Sequence, residues 1–292
     1  MRWLIVISLW WPATGLSFSA PSHELVCAVA YQLLNPNIKE KLDSLLTDKV
    51  TRPKKSWEVG CHWPDIARRT THQATAAYHY MNIPHGEAFD HHRDCAAYDC
   101  ITQAIARYAS AIQPPQSRYH QRQAFFFLAH FITDLHQPFH VGYREDRGGN
   151  RIKVSVGERD RKKVTLHYLW DKHIPMKAGV ELKGAVDKMV DTIRQQTRAV
   201  WKNDNIVLWA KESHCVVKRY GYIQPNGEAI RSGMHISSAY MEKAQKVIYQ
   251  QLMKASVRLA YLLTQRLTDE QLKPVVLTPL STKSTCTRLL AE

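Results

Sequence analysis

Residues 124–132 read Ala-Phe-Phe-Phe-Leu-Ala-His-Phe-Ile, an apolar run with an imidazole set inside it, and Asp134 follows two positions later. A segment this apolar is driven into a core. An imidazole or carboxylate carried in with it is destabilising unless it meets a partner or a metal. His130 and Asp134 stand at i and i+4, so on a helix they lie one turn apart on one face and can share a cation. The pattern extends over about 119–136 and stops before Pro138, which predicts one buried helix carrying both groups.

The same spacing recurs in His167-Tyr168-Leu169-Trp170-Asp171. His140 lies past Gln137-Pro138, where the chain must turn, and Trp63-Pro64-Asp65, His79 and His23 add further ligand types upstream. One isolated pair at this spacing reads as a helix ion pair. Two pairs, one of them inside an apolar run and accompanied by separate His and Asp residues, point to several divalent cations. Imidazole with carboxylate, and no thiolate, suits zinc in catalytic sites that keep a position open.

Apolar periodicity predicts further helices over 23–48, 96–112, 167–173, 182–200, 206–216 and 236–267. Arg52-Pro53-Lys54-Lys55 breaks the first pattern and Pro114-Pro115 ends the second. Residues 151–156 and 162–166 alternate in a strand-like way after the Gly148-Gly149-Asn150 turn, which predicts one small hairpin. The class is therefore all-α, a single helical domain with one small β-hairpin, and the residues from Thr268 onward form an adaptable tail.

The 292 residues carry 40 Lys plus Arg against 26 Asp plus Glu, a formal charge of +14 that favours polyanionic partners. Residues 1–17 place one Arg before a short apolar run and small residues, as a signal peptide does. Cleavage after Ser17 leaves Phe18 first; cleavage after Ser19 is also allowed. This predicts a secreted or periplasmic monomer with no stable membrane anchor. Six Cys behind such a segment suggest disulfides, with Cys95 and Cys100 close enough to staple a local loop.

Three segments together resemble the mung-bean-type family of zinc-dependent, single-strand-preferring nucleases, which shares a superfamily with the zinc phospholipases C. They are residues 127–140 (Phe-Leu-Ala-His-Phe-Ile-Thr-Asp-Leu-His-Gln-Pro-Phe-His), 148–150 (Gly-Gly-Asn) and 166–171 (Leu-His-Tyr-Leu-Trp-Asp), with Trp63-Pro64-Asp65 and His79-Tyr80 in support. The resemblance covers Phe18 to about Leu267. It implies a phospholipase C/nuclease-type fold and a nuclease domain over 18–267, between the signal peptide of 1–17 and a tail of 268–292.

The resemblance also implies three zinc ions. The first takes Asp65, His79, His130 and Asp134; the second takes His140, His167 and Asp171. The third takes His23, Asp134 and Phe18, the last through its free amine and its carbonyl. Asp65, Asp134 and Arg68 become the catalytic set, and Tyr80 and Asn82 the contacts to the base. Phe18 stands where the family usually has Trp, and Asn82 where fungal members have Asp. Cys95–Cys100 matches the family's local bridge. Cys27–Cys61 and Cys215–Cys286 are working pairs for the rest. The implied reaction is hydrolysis of single-stranded RNA and DNA, and of nucleotides, to 5′-mononucleotides. The competing reading is a phospholipase C acting on lipid phosphodiesters.

Overall fold

The computed structural model describes residues 18–47, 57–95, 100–157, 162–196, 201–268, 270, 272–278 and 285–290. Residues 1–17, and with them the expected signal peptide, lie outside the described residues.

The helix expected from the apolar run spans Arg118–Leu135. Ser117 caps it, its hydroxyl accepting from the His120 N–H, and the helix has no acidic residue in its first turn. Phe125, Phe127, Leu128, Phe131 and Ile132 are all buried, and His130 and Asp134 are buried among them with no exposed surface. Helix Ile101–Ala111 and the long helix Ser238–Arg266 pack against this central helix, and helix Ala20–Leu33 lies against both it and the long helix. The result is a mainly α molecule whose one sheet among the described residues is the expected antiparallel hairpin, Lys153–Val156 with Lys162–Thr165, in the register Val154↔Val164. Both valines are buried, so this face of the hairpin packs inward.

Several boundaries differ from expectation for identifiable reasons. The predicted helix 23–48 is two helices, Ala20–Leu33 and Pro36–Leu46. Asn35 precedes Pro36 and is extended, with φ −71° and ψ 162°, because the proline ring excludes the helical region from the residue before it. The Asn35 side chain then accepts from the Ile38 N–H at 2.9 Å and starts the second helix. The helix predicted over 96–112 begins only at Ile101, after the extended residue Cys100. The one predicted over 182–200 spans Ala185–Gln195, where Gly184 at φ +81° supplies a left-handed start.

The 167–173 segment is not one α-helix. Leu166–Tyr168 is α, Leu169–His173 is a π-helical turn, and Ile174–Lys177 is α again. Segment 232–236 was not legible as sheet. It adds to the hairpin edge, with Ser155 N–H donating to Met234 C=O and Ile236 N–H to Ser155 C=O, both at 2.9 Å.

All three expected disulfides are present: Cys27–Cys61, Cys95–Cys100 and Cys215–Cys286. Among the described residues no cysteine is free. The segment expected to be an adaptable tail is fastened in its described parts. Val275 N–H donates to the Ser110 hydroxyl at 2.8 Å, and Cys286 starts a short helix that buries Leu289.

Loop-closure entropy ranks the disulfides. Cys215–Cys286 closes 71 residues and Cys95–Cys100 only 5, so removing the first (both Cys→Ala) is expected to lower unfolding free energy by about 4 kcal/mol and removing the second by about 2 kcal/mol. Chemical denaturation of both double variants checks this; the reverse order would contradict it.

Candidate metal centre

Asp134 stands at the centre of the site. Its Oδ2 lies 2.8 Å from His79 Nδ1 and 3.1 Å from His130 Nε2. Its Oδ1 lies 3.5 Å from His23 Nε2 and 3.5 Å from His140 Nδ1. Asp65 joins from the short helix Trp63–Ala67, its Oδ1 at 3.9 Å from His79 and 3.8 Å from His130. A second group sits beside the first: His167 Nε2 is 3.2 Å from Asp171 Oδ2, and His140 Nε2 is 3.6 Å from Asp171 Oδ1. His140 therefore faces both groups, one ring nitrogen to each.

These spacings fit shared cations. Ligand atoms at about 2.0–2.1 Å from a tetrahedral zinc lie roughly 3.3 Å apart. Three sets of ligand atoms cluster tightly enough to hold an ion: His79, His130 and Asp134; His140, His167 and Asp171; and His23, Asp65 and His130. The first two follow the sets that the resemblance implies. In the third, His23 meets Asp65 and His130 as well as Asp134. A further group, His91, Cys95 and Cys100, cannot offer thiolates because its cysteines form a disulfide.

Backbone carbonyls aim two of the rings. His130 Nδ1–H donates to Cys61 C=O at 2.9 Å, and His167 Nδ1–H to Gly148 C=O at 2.6 Å. Each bond fixes the proton on Nδ1 and leaves Nε2 facing the carboxylates as a lone-pair donor. The Gly148 carbonyl is where it is because the chain folds tightly under it. Gly148 has φ +58°, and a Cβ there would lie 2.4 Å from Phe139 O, so only glycine fits. Two buried ring nitrogens, His79 Nε2 and His140 Nδ1, have no hydrogen-bond partner among the described residues. Such orphans are uncommon unless a ligand or ion completes them.

The electrostatics prepare the groups for a cation. Burial pushes His23 well below the usual histidine value, aided by the neighbouring His130, and pushes His79 down to about 3 against the pull of Asp134. Burial opposes the charge on Asp134 too, but His130 and His140 overcome it and hold the carboxyl well below its usual range. Asp171 is lowered in the same way, burial opposing and His167 prevailing. His130 alone in this set is raised; burial lowers it, and Asp134 and Asp65 more than compensate. Most of these groups are thus already neutral imidazole or ionised carboxylate, the forms that bind metal.

The remaining predicted residues fall around this cluster. Arg68 Nη2 is 2.9 Å from Asp65 Oδ1. Phe18 is fully buried with its ring edge-on to His23, and Ser19 N–H donates to Asp171 C=O at 3.1 Å. The segment after His79 runs beside 140–142, with Met81 N–H donating to His140 C=O and Ile83 N–H to Gly142 C=O. That leaves Tyr80 exposed, at 44%, next to the buried His79, and sets Asn82 beside Gly148. Gln137 is a participant that the sequence reading missed. Its Nε2 donates to Asp171 Oδ1 at 2.5 Å and its Oε1 accepts from the Phe139 N–H. Its only sequence signal was its place between two candidate ligands, Asp134 and His140.

The chain is similar along its length to known proteins. Endonuclease 1 of Arabidopsis thaliana is 28% identical over 284 residues, covering 87% of this chain and 88% of that protein. Nuclease S1 of Aspergillus oryzae is 26% identical, covering 82% and 88%. Nuclease P1 of Penicillium citrinum is 27% identical, covering 83% and 95%. The family profile described as S1/P1 Nuclease matches residues 18–268, and the chain belongs to that nuclease family.

Proposed function

We propose that this nuclease is a secreted, zinc-dependent enzyme that hydrolyses the P–O3′ bond of single-stranded RNA and DNA to give 5′-mononucleotides, and removes 3′-phosphates by breaking the same bond. The observation that carries the reading is a fully buried Asp134 facing four imidazoles. The donor set is nitrogen and oxygen, and His79 Nε2 and His140 Nδ1 within it have no hydrogen-bond partner among the described residues; both features fit zinc.

In this reading Asp65, His79, His130 and Asp134 hold one ion and His140, His167 and Asp171 a second. His23, Asp134 and Phe18 hold a third, Phe18 through its amine and carbonyl once residues 1–17 are removed. Bound zinc supplies an activated water near neutral pH and withdraws charge from the phosphate. The chain's residues do the rest. Asp134, whose Oδ2 faces His79 and His130 and whose Oδ1 faces His23 and His140, would serve two of these sets. Arg68, held by Asp65, adds positive charge where the phosphate is attacked. Tyr80 offers a face for a base to stack on, and Asn82 a polar group for its edge. A duplex must first unstack a base to use that face, which is the physical source of single-strand preference. The disulfides fit an oxidising compartment. No helix among the described residues is long and apolar enough to cross a membrane.

Replacing His130 by Ala or Asp134 by Asn is expected to abolish hydrolysis of single-stranded DNA and lower bound zinc in a still folded protein. Gln137→Ala, one shell out, is expected to lower activity about 10–100-fold. Steady-state kinetics with elemental analysis checks the series; cleavage at the wild-type rate by either ligand variant would rule the site out. Rates on single-stranded DNA should also fall steeply between about 50 and 200 mM salt, because phosphate contacts release counterions. A salt-independent rate, or cleavage of phosphatidylcholine in preference to DNA, would overturn the substrate assignment.

A further inference from the structure

Behind the metal cluster lies a second buried polar assembly. Arg258, on helix Ser238–Arg266, is 1% exposed, and His136 is fully buried. Arg258 Nη1 donates to His136 Nε2 at 2.8 Å, and Nη2 donates to Glu212 Oε2 at 2.5 Å. Arginine has no acceptor, so Nε2 of His136 must be a lone pair and Nδ1 must carry the ring proton. That Nδ1–H donates to Ile132 C=O at 2.7 Å. Two more buried side chains reach the same turn: Ser213 donates to Leu135 C=O at 2.6 Å, and Gln251 to His136 C=O at 3.3 Å.

The expense of this arrangement needs a reason. A buried ion pair usually stabilises no more than apolar side chains of the same volume would, and Arg258 Nε has no hydrogen-bond partner among the described residues. The location supplies the reason. His136 caps the helix that carries His130 and Asp134. The next residue, Gln137, holds the Asp171 carboxylate, and His140 follows within one short turn. Position 136 is therefore the joint between the two ligand groups: the Arg258, Ser213 and Gln251 bonds end on the His136 ring or on the carbonyls of 135 and 136, while Glu212 holds the other side of the guanidinium.

We propose that Arg258 is a positioning residue whose two-sided grip on His136 and Glu212 sets the spacing between the Asp134-centred group and the His140–His167–Asp171 group. This rests on the zinc-nuclease reading above. The planar guanidinium can hold both partners at once, which a lysine ammonium on a flexible stem does poorly.

The test compares wild type, Arg258→Met and Arg258→Lys. Methionine matches the apolar stem and leaves Glu212 facing Lys254 Nζ at 3.7 Å, so the carboxylate keeps a cation. Zinc affinity is read by competition with a chromophoric chelator, kcat and KM on single-stranded DNA, and thermal unfolding on the metal-free protein. For Arg258→Met the expectation is a loss of about 10–100-fold in zinc affinity and in kcat. KM should stay close to wild type, and metal-free unfolding should fall only modestly, because Glu212 keeps Lys254 and only His136 Nε2 loses its donor. Arg258→Lys should lie between the two in zinc affinity and kcat.

A zinc-loaded, active wild type that Arg258→Met matches in zinc affinity and kcat would overturn this inference alone. So would losses that follow the metal-free melting temperature with no recovery in the lysine variant. If Arg258→Met does not fold, a lysine variant equal to wild type in both readouts would overturn it. A wild type that takes up no zinc would instead sink the functional reading, and this one with it.

Discussion

A carboxylate without exposed surface, set among the buried phenylalanines of the central helix, must be compensated from all sides. Asp134 is that group, and the arrangement of the fold around it follows from what compensates it. His130 comes from its own helix, His23 from helix Ala20–Leu33, His79 from the 3₁₀ turn Gln73–His79, and His140 from the turn Pro138–Val141. Four separate segments thus place an imidazole on one carboxyl. Each pays for its own burial by the same contact, since a lone buried imidazole or carboxylate would be strongly destabilising.

The clustered imidazoles are held from outside as carefully as from within. The Cys61 carbonyl that orients His130 belongs to a residue disulfide-bonded to Cys27, on the helix that carries His23. One covalent link therefore ties the helix of His23 to the carbonyl that orients His130. On the other side, the Gly148 carbonyl orients His167, and the Gly148-Gly149 turn is packed against Phe139, whose neighbour is His140. The π-helical turn Leu169–His173 still brings Asp171 within 3.2 Å of His167. Wider turns of this kind recur at functional sites. The cluster is thus prearranged by backbone and core, with little left to side-chain freedom.

What could be read from sequence divides along physical lines. The central helix, the hairpin and the two i,i+4 pairs were legible because they depend on local periodicity, which a single segment carries by itself. The split at Asn35-Pro36 was open to the same reasoning, through the proline's effect on its neighbour, but the apolar pattern on either side concealed it. Segment 232–236 joins the hairpin through long-range backbone bonds, and its residues carry no alternating pattern to announce that. Gln137, Arg258 and Glu212 were missed because their roles depend on partners between 34 and 122 positions away. Nothing in a polar residue's own neighbourhood says which distant carboxylate or imidazole it will meet. The expected tail is fastened for a similar reason: Cys286 reaches back 71 residues to Cys215.

The convergence of these side chains on a shared set of cations is tested most directly by anomalous diffraction at the zinc absorption edge, on crystals of the protein as purified. The account predicts three anomalous peaks within the cluster, two of them beside the Asp134 carboxylate and the third within ligand distance of His140, His167 and Asp171. A map with no peak among these residues, or with zinc bound only at sites remote from Asp134, would contradict it.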